Sequence, residues 1–322
     1  MIHIVLAMLL QAASGRGSDT TVSVPAGARL RLQNQGGDIT IRAWDRNQVR
    51  VQAEHSSRSV VDVDLRGQVV EISTHGRQGV GGLVDYIITV PASMAIDVGG
   101  MYAEISIEGV KAAVKAQTLD GNITLKGGGE SVNLSTVNGR IAVSGARGRI
   151  ELHAVSDGVA ASDIQGDLVI ESVSGDIDLR RIDAKSVDAQ TISGEITFEG
   201  RIADAGSYSF NTHSGNVTLA IPETSNATLT LSSASGEMNT TLSLKAERET
   251  RRRHSFRLGS GSATVDVETF SGDLDVVHPA ELKARHVERD EDKPAKVHHR
   301  RPGRDRDKDD DRDEDQSKEN ES

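Results

Sequence analysis

The residues best suited to chemistry in this 322-residue chain stand directly behind a recurring glycine: Asn122, Asp176, Glu195, Asn216, Glu237 and Asp273, with Arg140 in the same place. On stacked turns such oxygens would cradle Ca²⁺, which takes six to eight oxygen ligands. Arg140 breaks the set, and the Gly-Gly-x-Gly-x-Asp signature of calcium-loaded rolls is absent. Two carboxylates 5 Å apart in water repel by only about 0.8 kcal/mol, so Asp176 beside Glu195 needs no cation. The expectation is a solvated corner that holds neither metal nor cofactor.

His213 occupies the position two before one of these glycines, where Leu119, Val137, Val173, Ile192 and Phe270 stand elsewhere. A neutral histidine hydrogen-bonded to nearby threonines is expected, with a pH-sensitive or catalytic role as the alternative. No histidine, acid and serine share a spacing that suggests a catalytic set, and His153 and Asp157-Gly158 fall in the least regular repeat. Sugar-cleaving clefts combine two placed carboxylates with stacking rings. Only Trp44, Tyr86, Tyr102 and Tyr208 are available for stacking here, so a polysaccharide-active enzyme is the weakest function class and no catalytic residue is assigned.

One strongly basic cluster remains: Arg248, Arg251, Arg252, Arg253 and Arg257, with His254 and Phe256 among them. It suits an anionic partner, either a surface polysaccharide, lipid headgroups or an acidic protein. The alternatives are docking on the chain's own acidic tail or surface, or plain solvation. The whole chain carries 37 basic and 48 acidic residues, a net charge of -11, which argues against nucleic acid as the partner.

The elements that position these residues must be aliphatic and repetitive. There are 4 Phe, 3 Tyr and 1 Trp, too few rings for a thick irregular core, and with no Cys there are no disulfides, thiolate metal sites or acylated lipoprotein cysteine. Gly121, Gly139, Gly158, Gly175, Gly194, Gly215, Gly236 and Gly272 recur at spacings of 18, 19, 17, 19, 21, 21 and 36, the last read as two periods. Each follows Asp, Asn or Ser, the chemistry of a tight turn, with the glycine taking a positive φ. Two residues later stand Ile123, Ile141, Ala160, Ile177, Ile196, Val217, Met238 and Leu274. Seven and five residues before the glycine come pairs such as Val114 and Ala116, or Val132 and Leu134. Alternation at period two makes both arms strands with one buried face. Three before the glycine, Thr118, Thr136, Ser172, Thr191, Thr212, Ser233 and Thr269 form a hydroxyl ladder if turns stack about 4.8 Å apart. The intervening segments 126–131, 180–186, 199–207 and 245–261 read as edge loops.

Such a stack is a β-solenoid, all-β, with layers of Ile, Val and Leu as its core. Its repeats are expected over 96–280, with 15–95 as a contiguous N-terminal β cap of less regular strands. Residues 1–14 read as an export signal: apolar from Ile4 to Leu10, with Ala12 and Ser14 at the cleavage positions. No other stretch has the ~20 apolar residues of a membrane span. From 281 to 322 the chain is charged and nearly free of apolar residues, which predicts disorder; it serves either as a tether or as a solubilising end.

The succession Gly37-Asp38-Ile39-Thr40-Ile41, Val84-Asp85-Tyr86 through Val90-Pro91, the repeated Ser-Gly-Asp/Glu-Ile turns and the closing Thr269-Phe270-Ser271-Gly272-Asp273 resemble the bacterial putative-adhesin family, a β-strand-repeat domain of unknown function. The resemblance covers about residues 20–277. It implies a single-stranded, right-handed parallel β-helix that is exported, periplasmic or at the cell surface, with no established catalytic residues to carry over. The resulting functional expectation is a non-catalytic structural or interaction module of the cell envelope, its partner an envelope protein or anionic surface polymer. The alternative is an envelope-stress sensor or scaffold.

Overall fold

Ile123 and Leu125 turn inward from strand Ile123–Lys126 while Thr124 and Lys126 turn outward, and the same alternation shapes Ile141–Ser144 and Val159–Ser162. In the computed structural model, which describes residues 17–282 apart from 57–58, 77–81 and 251, these strands stack parallel and in register. Ile105, Ile123, Ile141, Val159 and Ile177 are successive partners at steps of 18 residues. The first arms of the repeat form a second parallel ladder, in which Ile96, Val114, Val132, Ile150, Leu168 and Val187 follow one another.

Each coil thus sends four aliphatic side chains into a narrow slot between two walls. Val132, Leu134, Ile141 and Val143 fill one layer, each 3% exposed or less, and burial of each contributes about 1.5–3 kcal/mol. Where the repeat lengthens, the slot widens and rings fill it. Phe198 contacts Phe210 with centroids 5.1 Å apart and Tyr208 edge-on at 6.1 Å. The buried Tyr208 hydroxyl donates to the Ala184 carbonyl at 2.5 Å and accepts from the Ala203 N–H at 2.8 Å. Burial pushes its pKa above the usual phenol value.

The described residues depart from the sequence reading at five places. In the irregular repeat the buried places are held by Val159 and Ala161, and Ala160 turns outward, because Gly158 takes the place behind the corner that Arg140 and Asp176 occupy in adjacent coils. The spacing of 36 is not two periods. Strand Ala263–Ser271 lies between Ile196–Ser214 and Ala227–Ser235, so the last coil in sequence is next to last in space. A matching interleaving marks the other end, where Arg29–Gly36 lies between Val69–Gly76 and Ala95–Tyr102, and Ile39–Trp44 between Val84–Pro91 and Ile105–Glu108.

Segments 180–186 and 199–207 are not loops. They run extended inside Ile177–Ser193 and Ile196–Ser214, pairing Ile182 with Gly200 and Ala184 with Ile202 as a short third wall, with Ile182 and Ile202 buried beneath it. The excursion 245–261 is a hairpin, Lys245–Glu249 with Arg253–Leu258, laid antiparallel on Ala227–Ser235. The ordered body also passes residue 280. Leu282 ends a helical turn and is buried with Ala220 and Val277. The export segment 1–14 and the tail beyond Leu282 lie outside the described residues.

Antiparallel strands close the remaining edges: Gly17–Ser23 on Gln48–His55 along the wall of Ile105 and Ile123, and Ser59–Arg66 on Val69–Gly76 along the wall of Ile96 and Val114. Replacing Tyr208 by Phe leaves the Ala203 N–H and the Ala184 carbonyl buried without their partner. A loss of about 1–3 kcal/mol in urea unfolding is expected, and a change under 0.5 kcal/mol would show that the hydroxyl contributes nothing.

Candidate functional site

At the corner between the two walls the chain crosses itself at backbone distance. A Cβ on Gly139 would lie 2.1 Å from the Gly121 carbonyl oxygen, and one on Gly272 would lie 2.0 Å from that of Gly215. Gly121, Gly139, Gly215, Gly236 and Gly272 have φ between 141° and 157°, whereas Gly175 and Gly194 are not in the left-handed region. For those two the close approach alone demands glycine: their Cβ atoms would meet Gly158 N at 2.0 Å and Gly175 O at 2.4 Å.

Two polar ladders flank this contact. Inside, Thr136 Oγ1 donates to the Gly121 carbonyl at 3.0 Å, Thr191 to Gly175 at 3.2 Å and Thr212 to Gly194 at 3.1 Å. Outside, Asn122 Oδ1 accepts the Arg140 N–H at 2.7 Å, Asp176 Oδ1 that of Glu195 at 2.8 Å, and Asn216 Oδ1 that of Asp273 at 2.8 Å. Four of the six side chains that suggested a cation site, Asn122, Asp176, Asn216 and Asp273, therefore serve as backbone acceptors from one coil to the next. No cluster of three His, Asp or Glu side chains suited to a metal occurs among the described residues.

Between the ladders runs a column of exposed apolar residues: Met101, Leu119, Val137, Val155, Val173, Ile192 and Phe270, from 37% to 59% exposed. His213 belongs to this column and stacks on Phe270, centroids 5.0 Å apart and planes 13° from parallel. It does not bond the threonine ladder, because Thr212 spends its hydroxyl on the inner carbonyl while the next side chain faces out. Beside the column lies an open groove of about 680 Å³, its other wall formed by Ser135, His153, Glu171, Gln190 and Asn211.

That wall brings together residues that the sequence reading kept apart. Ser135, His153 and Glu171 are register partners on three consecutive strands, and His153 Nδ1 lies 3.1 Å from Glu171 Oε2. The order is that of a nucleophile, base and orienting acid. Yet no hydrogen bond joins Ser135 to His153 among the described residues, and the Glu171 side chain is 62% exposed on a face open to water.

The arginine cluster sits at the far end of the wall that begins with Ile96 and Val114. Arg253 and Arg257 stand opposite Ser232 and Thr228 on the outer face, while Phe256 faces Leu229. Arg257 pairs with Glu247. Arg248, Arg252 and Arg253 are exposed and make no ion pair among the described residues, and Arg251 lies outside them.

The stacked two-wall coil, its glycine corner and its interleaved ends extend over the stretch matched by one family model, Toastrack DUF4097, at residues 28–277. The chain belongs to this family. The Toastrack domain is one of unknown function, in keeping with the resemblance carried by the Ser-Gly-Asp/Glu-Ile turns. No curated protein matches the chain. Among solved structures, a putative adhesin from Parabacteroides merdae is similar at 9% identity and a TM-score of 0.48, covering 81% of this chain and 96% of that one. One from Parabacteroides distasonis has 11% identity and a TM-score of 0.43, covering 81% and 97%. One from Bacteroides fragilis has 12% identity and a TM-score of 0.38, covering 82% and 98%. No helix of the described residues is long and apolar enough to cross a membrane.

Two outcomes follow from this geometry. Gly139→Ala forces a methyl group onto a backbone carbonyl and should cost more than about 3 kcal/mol, read by denaturant unfolding, whereas a loss below 1 kcal/mol would mean that the corner yields. Purified protein and its Ser135→Ala variant should release nitrophenol from activated esters at equal rates, and a rate lost in the variant would make the Ser135 column catalytic.

Proposed function

We propose that this Toastrack chain is a non-catalytic, exported, adhesin-like module of the cell envelope that binds an anionic surface polymer through its arginine hairpin. One observation carries the reading. Arg248, Arg252 and Arg253 stand exposed and without ion pairs among the described residues, on a chain of net charge -11. Cations left unneutralised on an acidic protein make a local field suited to a polyanion.

Export rests on the apolar run Ile4 to Leu10 and the small residues before residue 15. In this reading the antiparallel strands near the N-terminus act as the cap, and the stack is a single-chain, right-handed parallel β-helix, the hand that crossovers between parallel strands adopt almost without exception. The apolar column favours a second role as a scaffold for protein partners, since contiguous exposed apolar surface marks interaction sites.

The test is co-sedimentation with an anionic polysaccharide and, separately, with vesicles containing anionic lipid. Changing Arg248, Arg252 and Arg253 together to Ser should weaken binding about 10-fold or more at low salt, and added salt should weaken the unaltered protein in the same direction. Equal binding by the two proteins would reject the hairpin as the site.

A further inference from the structure

We propose that two copies of this chain pair face to face through the apolar column, antiparallel, about a two-fold axis at Val155. This goes beyond the polymer-binding reading and does not depend on it, because the arginine hairpin takes no part.

The first argument is area. Side chains of this size about half exposed offer on the order of 100 Å² each, so the column and the adjoining exposed Tyr102 and Leu83 present roughly 900 Å² per copy, against the ~800 Å² per partner of a standard interface. A monomer seldom leaves a contiguous apolar patch of that size open to water. The column also repeats at the strand spacing of about 4.8 Å, so a second copy can meet it position by position.

The second argument is shape. From Met101 to His213 side-chain size along the column is symmetric about Val155, and Phe270, one strand beyond His213, falls opposite Gln35. A two-fold axis there sets Val137 against Val173, Leu119 against Ile192, and Met101 against His213, with Val155 meeting itself. Small residues meet at the centre and large ones toward both ends.

The third argument is charge. The same axis sets Arg140 of one copy against Asp176 of the other, twice, and Ser135 of the groove wall against Glu171, while the exposed Asp157 of the central coil meets its own copy between those two opposite-charge pairs. Within one chain Arg140 and Asp176 are two strand spacings apart, about 9.6 Å, and they form no ion pair among the described residues. Arg140 is the cation that interrupts the acidic corner column, and this pairing gives it a partner. A parallel arrangement would instead lay the corner column on the groove wall and bring Asp176 onto Glu171, two like charges, which specific interfaces avoid.

Sedimentation equilibrium of the full chain tests the proposal, with melting followed by circular dichroism as the control for folding. A dimer is expected. Val155→Glu, which places two carboxylates on the axis, should raise its dissociation constant about 100-fold or more. Arg140→Asp should weaken it and Arg140→Asp with Asp176→Arg should restore it. Because the chain has no Cys, Val155→Cys supplies a single thiol, and oxidation should join two copies across the axis while Asn239→Cys, at the far end of the stack, stays unlinked. A chain that stays monomeric would overturn the proposal, as would a dimer untouched by Val155→Glu in a protein that still folds. Failure of the charge swap to restore pairing would overturn the antiparallel register. None of these results bears on polymer binding by the arginine hairpin.

Discussion

The structure depends on one contact between backbones. At most corners a carbonyl of the adjacent coil sits where a glycine would otherwise carry a Cβ, 2.0–2.4 Å from that point, and at Gly175 the Gly158 amide nitrogen takes that place. Only glycine permits the approach, and the approach fixes how far each coil can slide on its neighbour. Register then follows for both walls, since a slip of one residue would turn every buried Ile and Val outward. The threonine hydroxyls on one side and the Asn and Asp oxygens on the other complete the hydrogen bonding that so tight a crossing demands. Aliphatic layers supply the free energy of burial, and the corner decides which layers face one another.

Much of this was legible in the sequence, because the corner imposes the same residue types at the same distance in each coil. Val132, Leu134, Ile141 and Val143 occupy buried places predicted by alternation alone. The interleaved ends were not legible. Strand order is set by which edge is free when a segment arrives, and Ala263–Ser271 carries the same local pattern wherever it docks. The slip at Gly158 escaped for a related reason: a glycine one place later satisfies the same motif while shifting the strand behind it. The short third wall escaped because Arg180, Arg181, Asp183 and Lys185 make segment 180–186 look like solvated loop, although Ile182 and Ala184 between them are buried.

The candidate sites divide along the same line. The corner oxygens looked like ligands because a sequence shows side chains without the amide that stands opposite each one; Asn122 and Asp176 turned out to be committed to the neighbouring backbone. The apolar column stands in the repeats as Leu119, Val137, Val173, Ile192 and Phe270. Its exposure is not legible there, since period-two alternation cannot say which side of a sharp bend faces water. The arginines were visible at once, but the pairing of Arg257 with Glu247, which separates it from Arg248 and Arg253, needed the hairpin.

The interleaving of both ends bears on how the molecule comes apart. An ordinary stack frays from its ends, each terminal unit peeling from a single neighbour. Here the last coil in the chain is gripped on both sides, and the spatially terminal coil is tethered by chain at both of its ends. Pulling from the C-terminal side therefore shears a coil out from between two others and breaks two ladders at once. Resistance to unzipping under tension, or to a protease that threads from a chain end, is thus a property of strand order rather than of any added contact.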